Sequence, residues 1–241
     1  MSREHDYEKY AYAYAQLGIN KGYYLAFRDI PSIIKQLDIS GRTALDYGCG
    51  TGRSTRFLKE LGFDTIGVDI SQSMISIAEN MDPKGKYSLI ESGNLPYDDE
   101  MFDLIFSSFV LIEIPSLELL NDVMADLRRV LKKDGRIIIV TSIVENVKEK
   151  WGAFTYDFKE NEKPLRSGDP LKLLIYDSNI ILYDYNWFED DYYKVFDQSG
   201  LAVDERYTPL GKEDDPYTWD IESEKKYYYI YVLERKKDEG H

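Results

Sequence analysis

The sequence predicts an α/β protein built on a doubly wound, mostly parallel sheet of seven strands. Between residues 43 and 142, short apolar runs alternate with amphipathic helical segments. Strands that are joined through helices pair in parallel through right-handed crossovers, which places helices on both faces of the sheet. Near the C-terminus, two strand-like runs follow each other with no helical pattern between them, which predicts an antiparallel hairpin.

The elements of this core follow in a regular order. Apolar runs of strand length lie at residues 43–47, 64–68, 87–91, 102–109 and 136–142. Helical spacing of apolar residues separates them at 54–61, 71–81 and 115–131, with Ser71 as a cap and glycines where helices end. Beyond the core, the predicted elements are strands at 180–185, 201–207 and 227–233 and a helix at 189–198.

One domain with four parts is expected to account for the chain. Residues 1–40 are rich in tyrosine and have helical spacing outside the α/β pattern, which predicts an N-terminal helical cover. The other parts are a core at 41–144, a substrate-side insertion at 145–187, and a C-terminal helix and hairpin at 188–236. An insertion after the fifth strand lies above the carboxyl ends of the strands, where open α/β sheets bind ligands.

Composition and charge restrict the partners and the location. The net charge is −14, and an acidic surface repels a phosphate backbone, so nucleic acid is not an expected partner. The sequence has no long apolar run, so we expect no membrane-spanning helix and no secretory signal. The single cysteine, Cys49, favours a reducing, cytoplasmic location. One cysteine and two histidines are too few for a metal cluster of these residue types, although a site made only of carboxylates stays open. The sequence does not indicate the oligomeric state.

A glycine-rich turn follows the first strand at residues 46–52 (DYGCGTG). Gly48 and Gly50 allow close approach of a ligand, and Asp69 ends the next strand, where a carboxylate accepts ribose hydroxyls. Asp46 precedes the glycines, and a carboxylate there repels a pyrophosphate but attracts an ammonium group. An adenosine that carries an amino acid fits both, which indicates S-adenosylmethionine. The alternatives are a nicotinamide or flavin site, or a tight turn without a ligand.

Several motifs resemble, in order, those of the class I S-adenosylmethionine-dependent methyltransferases. They are residues 46–52, Asp69, 93–96 (GNLP), 102–105 (FDLI) and 127–136 (LRRVLKKDGR). The similarity is greatest to the subgroup that acts on small molecules, the ubiquinone and menaquinone biosynthesis type. It implies that the backbone at Gly48 and Gly50 contacts the methionine part of the cofactor. The other implied contacts are Asp69 at the ribose, Ile70 and Met74 beside adenine, Asn94 and Leu95 at the adenine amino group, Ser108 under the sulfonium, and Tyr7 and Tyr14 in the cover.

The resemblance implies methyl transfer to oxygen or nitrogen of a small, planar or aromatic acceptor. Glu113 lies in a loop where the family often carries residues that face the acceptor, so it is the candidate general base, with a surface salt bridge as the alternative role. Most aromatic residues of the second half are expected in ordinary packing, but Trp151, Phe154 and Trp187 are candidates for the acceptor pocket. Two other functions stay open: methylation of a protein or RNA, and non-enzymatic binding of S-adenosylmethionine by a regulatory module.

Overall fold

The computed structural model describes residues 4–143 and 149–237, with side chains described from residue 10 onward. Three helices precede the first strand: α1 (Glu4–Ala15), α2 (Lys21–Phe27) and α3 (Ile30–Gln36). Pro31 lies in the first turn of α3, where its fixed backbone angle suits a helix start. Helices outside the α/β alternation thus precede the sheet, as the sequence predicted.

The central part of the chain alternates strands and helices. Its elements are β1 (Thr43–Tyr47), α4 (Arg53–Glu60), β2 (Asp64–Asp69), α5 (Gln72–Met81), β3 (Lys86–Leu89), β4 (Phe102–Ser108), α6 (Leu117–Val130) and β5 (Leu131–Ser142). Ser71 and Ser116 cap α5 and α6, since their hydroxyl groups accept hydrogen bonds from the amides of Met74 and Leu119. These caps set where each helix begins after its strand.

Within the described residues, the C-terminal part contains five strands and one α-helix. They are β6 (Phe154–Thr155), β7 (Asp169–Ile175), β8 (Ile180–Asn186), α7 (Glu189–Gln198), β9 (Leu201–Tyr207) and β10 (Tyr228–Arg235). Seven strands form one sheet in the order β3-β2-β1-β4-β5-β10-β9, in which β10 is antiparallel to both β5 and β9. The predicted fold class, a mostly parallel seven-stranded sheet with a C-terminal antiparallel pair, is confirmed.

Both faces of this sheet are buried. Along β4, Leu104 and Phe106 pack towards the cover and the insertion, whereas Ile105 packs towards α6 and α7. Successive side chains of a strand point to opposite faces, so a strand covered on both sides must be apolar throughout. The consecutive apolar residues 104–106 of β4 are the sequence form of this arrangement.

The insertion forms a second, antiparallel sheet of three strands in the order β6-β7-β8. The sequence analysis predicted β8 but not β7, because Gly168 and Pro170 are of residue types that mark turns. Pro170 is instead the second residue of β7, and the alternate residues Leu171 and Ile175 are buried. Among the described residues, no helix is long and apolar enough to cross a membrane.

The junction of α6 and β5 also differs from the prediction. The sequence predicted a helix at 115–131 and a strand at 136–142, but α6 ends at Val130 and β5 begins directly at Leu131. Lys132 Nζ donates to Asp103 Oδ1 at 2.9 Å, and the β4–β5 register shifts between Phe102 and Leu104. The ion pair therefore helps to hold Lys132 within β5, although the sequence predicted this strand to begin only at residue 136.

Candidate active site

A cavity of about 570 Å³ opens at the carboxyl ends of the parallel strands. The glycine turn after β1 and the ends of β2 and β4 line one half of it. The small β6-β7-β8 sheet and the residues just before and at the start of β10 line the other half. Tyr14 of α1 and Tyr23 of α2 lie over it. Ligands of open α/β folds bind at this edge of the sheet, so the cavity is the candidate active site.

The glycine turn brings backbone to the cavity wall. Gly48 and Gly50 have φ angles of 73° and 52°, which L-residues with a side chain rarely adopt. The amide of Gly48 donates to the carbonyl oxygen of Val68 at 2.8 Å, which ties the turn to β2. A Cβ on Gly48 would lie 2.1 Å from Cγ2 of Val110, whereas a Cβ on Gly50 would meet nothing within 4 Å. The turn is thus closed behind Gly48 and open at Gly50, where a ligand can approach the backbone.

Asp69, at the end of β2, faces the cavity beside this turn. Its Oδ2 accepts a hydrogen bond from the amide of Gly50 at 2.8 Å, and its Oδ1 accepts one from the amide of Ser71 at 2.9 Å. Burial raises the pKa of this carboxyl, and the backbone hydrogen bonds oppose the increase. A carboxylate has about four acceptor positions, so these bonds, with a third from the backbone of Ile70, orient Asp69 and leave acceptor capacity for a ribose hydroxyl.

Apolar side chains continue the wall next to Asp69. Ile70, Met74 and Ile90 line the cavity, and Ile70 is 44% exposed although it is a large aliphatic residue. A flat adenine ring placed here would cover Ile70, so these side chains fit the base of S-adenosylmethionine. Ser108 also lines the cavity, at the end of β4. The residues present therefore suit both the ribose and the base of the cofactor.

Asp46 lies behind the turn and is fully buried. Its Oδ2 accepts hydrogen bonds from Ser54 at 2.7 Å and Thr55 at 2.6 Å, while its Oδ1 has no partner among the described residues. Burial raises the pKa of Asp46 to about 6, and the hydrogen bonds from Thr55 and Ser54 oppose the increase. Asp46 does not line the cavity, but Ser54 does. The carboxylate predicted to attract an ammonium group thus anchors the start of α4 to β1, and it reaches the cavity through Ser54.

The predicted adenine contacts at Asn94 and Leu95 lie outside the cavity lining, where Ile90 and Ser92 are found instead. Asn94 is exposed, and its amide donates to the carbonyl oxygen of Glu91. The amide of Leu95 donates to Asp126 at 2.6 Å, so it is already paired. Tyr7 lies in α1, but its side chain is outside the described residues. The roles of these three residues stay predictions.

The structure separates the three aromatic candidates for the acceptor pocket. Phe154 lines the cavity, but Trp151 and Trp187 do not. Trp151 packs behind Phe154, with ring centroids 6.1 Å apart. The indole nitrogen of Trp187 donates to the carbonyl oxygen of Ile114 at 3.0 Å, and its ring belongs to the hydrophobic cluster on the other face of the sheet. For the two tryptophans, the sequence did not reveal which face of the sheet each side chain packs against.

The half of the cavity away from the glycine turn, where the sequence predicts the acceptor (the acceptor half), is lined by residues that the sequence analysis did not select. They are Phe109, Leu173, Ile175, Leu182, Asp184, Tyr185, Tyr227 and Tyr228. A signal for part of this set is present in β8, where every second residue is buried from Ile180 to Asn186. This alternation places Asp184 on the inner face together with Leu182.

Glu113, the candidate general base, also lines the cavity and is half-buried. It ends a short 3₁₀ turn, Leu111–Glu113, which follows β4 and packs against β8. Its carboxylate contributes, after burial, to the raised pKa of Tyr14 in the cover. Glu113 therefore lies between the cofactor half and the acceptor half of the cavity.

The cover is held over the cavity by cation–π contacts. The guanidinium carbon of Arg53, the first residue of α4, lies 4.4 Å from the ring centre of Tyr23 and 5.6 Å from that of Phe27. In addition, α1 packs against both α5 and β8, which lie on opposite sides of the cavity. The cover thus bridges the two halves of the cavity.

Comparisons with known proteins agree with this geometry. A family profile described as a methyltransferase domain matches residues 45–139. A demethylmenaquinone methyltransferase of Tropheryma whipplei is 34% identical over 102 residues, which are 42% of this chain and 41% of that protein. A malonyl-[acyl-carrier protein] O-methyltransferase of Salmonella typhimurium is 30% identical over 99 residues, 41% of this chain and 38% of that protein. These matches therefore span about two fifths of each relative's length.

A solved structure extends the likeness to nearly the whole chain. An S-adenosylmethionine-dependent methyltransferase from Clostridium acetobutylicum superposes with a TM-score of 0.65 at 17% identity, covering 96% of this chain and 99% of that one. At this identity the likeness establishes the fold. Both the domain match and the superposed fold include the motifs around the glycine turn.

Proposed function

We propose that the chain is a class I S-adenosylmethionine-dependent methyltransferase, as its motifs, its domain match and its fold indicate, and that it methylates oxygen or nitrogen of a small, planar or aromatic acceptor. One observation carries the proposal: a single cavity of about 570 Å³ joins the glycine turn to an apolar, aromatic wall. The relatives are named for a demethylmenaquinone and for a malonyl group on a carrier protein, so they do not select an acceptor class. The choice of a flat acceptor rests on the wall.

The residues of this chain would act mainly by positioning. When bound, S-adenosylmethionine supplies an activated methyl group on a sulfonium. The backbone at Gly48 and Gly50 would hold the methionine part, Asp69 the ribose, and Ile70 and Met74 the base. Fixing two reactants in line contributes on the order of 7–11 kcal/mol in favourable intramolecular cases. The cover, held by Arg53, would keep water out during the transfer.

Glu113 is proposed as the group that takes a proton from an acceptor oxygen or nitrogen. It lines the cavity between the two halves, and a positioned base typically contributes about 10²–10⁴-fold to a rate. We expect Glu113→Gln to lower kcat while the affinity for S-adenosylhomocysteine is unchanged. Unchanged turnover of every accepted substrate by this variant would remove Glu113 from the chemistry.

An acceptor panel tests the proposed function. The purified protein is incubated with S-adenosylmethionine and a set of aryl alcohols, phenols, quinols and aryl amines, and methylated products are detected by mass spectrometry. Protein and RNA extracts are tested in parallel, with the Asp69→Asn variant as the control for dependence on the cofactor site. Methylation of small flat compounds supports the proposal. Methylation of macromolecules only, or cofactor binding without any turnover, would support one of the alternatives instead.

A further inference from the structure

A buried carboxylate lies in the acceptor half of the cavity. Asp184, in the middle of β8, is 2% exposed and lines the cavity next to Leu182 and Leu173. The residue opposite it on β7, Leu171, is fully buried. A carboxylate among aliphatic side chains is costly unless hydrogen bonds or an opposite charge compensate for its lost hydration. Asp184 therefore brings a buried carboxylate to a wall that is otherwise formed mainly by aliphatic and phenolic side chains.

The protein groups near Asp184 are mainly phenols. The hydroxyl of Tyr156 donates to Oδ2 of Asp184 at 2.8 Å, and Tyr156 does not line the cavity. Burial raises the pKa of Tyr14, Tyr23 and Tyr227, and the charge of Asp184 adds to the increase in each case. These tyrosines thus stay protonated near neutral pH and bring no charge to the cavity.

Acidic side chains outnumber basic ones in the lining of the cavity. Its charged lining residues are Arg53, Asp69, Glu113 and Asp184. The guanidinium of Arg53 lies over the ring of Tyr23 and donates to the carbonyl oxygen of Gly18, and Asp69 belongs to the ribose site. Asp184 and Glu113 consequently make the acceptor half acidic, which disfavours a carboxylate or phosphate on the acceptor and favours a group that donates N–H bonds.

From this geometry we infer that the acceptor is an amine, a primary or secondary amino group on a flat, apolar body, and that Asp184 binds its nitrogen. The inference rests on the proposed function and narrows it from oxygen or nitrogen to nitrogen. An amine offers N–H donors to Asp184 and an apolar body to Leu173, Ile175 and Phe154. A phenol or an alcohol fills the same space but offers only a single O–H donor.

Asp184 also provides a place for the proton that N-methylation releases. The lone pair of the neutral amine nitrogen forms the new N–C bond, while the S–C bond of the sulfonium breaks and its electron pair stays on sulfur. The nitrogen then loses one proton, which Asp184 takes up. The sum is a methylated amine, S-adenosylhomocysteine and a protonated carboxyl group, which balances atoms and charge.

Two variants separate recognition of the amine from a structural role of Asp184. Asp184→Asn removes the charge but keeps an oxygen that accepts the hydrogen bond from Tyr156. Tyr156→Phe removes that hydrogen bond but keeps the carboxylate. A structural role predicts that Tyr156→Phe is at least as harmful as Asp184→Asn. Recognition predicts that Asp184→Asn raises KM for an arylalkylamine about tenfold or more, since a hydrogen bond to a charged group carries at least that factor. The affinity of both variants for S-adenosylhomocysteine should be that of the wild type.

A measurement on the unmodified protein keeps the inference testable if Asp184→Asn does not fold. Wild-type protein saturated with S-adenosylhomocysteine is titrated calorimetrically with an arylalkylamine and with the alcohol of the same carbon skeleton. We expect the amine to bind about tenfold tighter or better. Equal binding of the two, or methylation of phenols and alcohols but not of amines, would overturn the inference and leave the proposed function intact. If no small acceptor of any class were methylated, the proposed function itself would fail.

Discussion

Substitution by alanine at two glycines of the turn, Gly48 and Gly50, is expected to have consequences of different size. Both have positive φ angles, so alanine at either position costs about 1–2 kcal/mol of backbone strain. A Cβ at position 48 would lie 2.1 Å from Val110 Cγ2, and overpacking of this kind adds about 1–3 kcal/mol. A Cβ at position 50 would meet nothing within 4 Å. We therefore expect Gly48→Ala to lower the free energy of unfolding by about 2–5 kcal/mol and Gly50→Ala by about 1–2 kcal/mol.

Ligand affinity should separate the two variants in a second way. The space in front of Gly50 belongs to the cavity, where the methionine part of the cofactor is proposed to lie. Gly50→Ala should thus retain most of its stability and still lose affinity for S-adenosylhomocysteine. Urea unfolding gives the stability of each variant, and isothermal titration calorimetry gives the affinity. The double variant Gly48→Ala with Val110→Ala is the control, since removing the Cγ atoms of Val110 should recover part of the stability.

Two results would refute this reasoning. Equal losses of stability in the two single variants would mean that Val110 does not close the space behind Gly48. Wild-type affinity in a folded Gly50→Ala protein would mean that the ligand does not approach the turn at Gly50.

Three further predictions concern single side chains. Asp69→Asn should weaken binding of S-adenosylhomocysteine at least tenfold, because charged hydrogen bonds to the ribose are lost, whereas Asp64→Asn at the exposed start of β2 should not; calorimetry checks both. Asp46 has a pKa raised to about 6, so its stabilising contribution is complete below about pH 4 and is lost as the pH rises through 6. The stability of the wild type relative to Asp46→Asn should therefore fall by up to about 3 kcal/mol between pH 4 and pH 7 in urea unfolding, and parallel curves would contradict this. Trp187→Phe should cost about 1–3 kcal/mol, because the buried carbonyl of Ile114 loses its donor, with cofactor affinity unchanged in the same titration.

Local sequence patterns were sufficient for the main sheet. Strands such as β1 and β4 contain short runs of mainly apolar residues with clear ends, and Ser71 marks a helix start by its capping chemistry. The strand β7 was missed because Pro170 and Gly168 suggest turns when the partner strand is unknown. Proline is compatible with the beginning of a strand, and only the pairing with β8 shows that it lies there.

The candidate site was predictable on the cofactor side and much less so on the acceptor side. Gly48, Gly50 and Asp69 are close in sequence to strand ends, so their meeting at one edge of the sheet follows from topology. The wall of the acceptor half comes from the insertion, whose register no local pattern specifies. A tryptophan such as Trp187 is equally suited to core packing and to a pocket, and Asp184 is recognisable as an inward residue only when the alternation in β8 is noticed.

Titration of the wild-type protein with S-adenosylhomocysteine and, separately, with a nicotinamide dinucleotide tests the central claim most directly. The claim is that the turn at Gly48 and Gly50, with Asp69, holds an adenosine that carries an amino acid. The account predicts saturable binding of S-adenosylhomocysteine at one site per chain and no binding of the dinucleotide. Binding of the dinucleotide without any affinity for S-adenosylhomocysteine would contradict it.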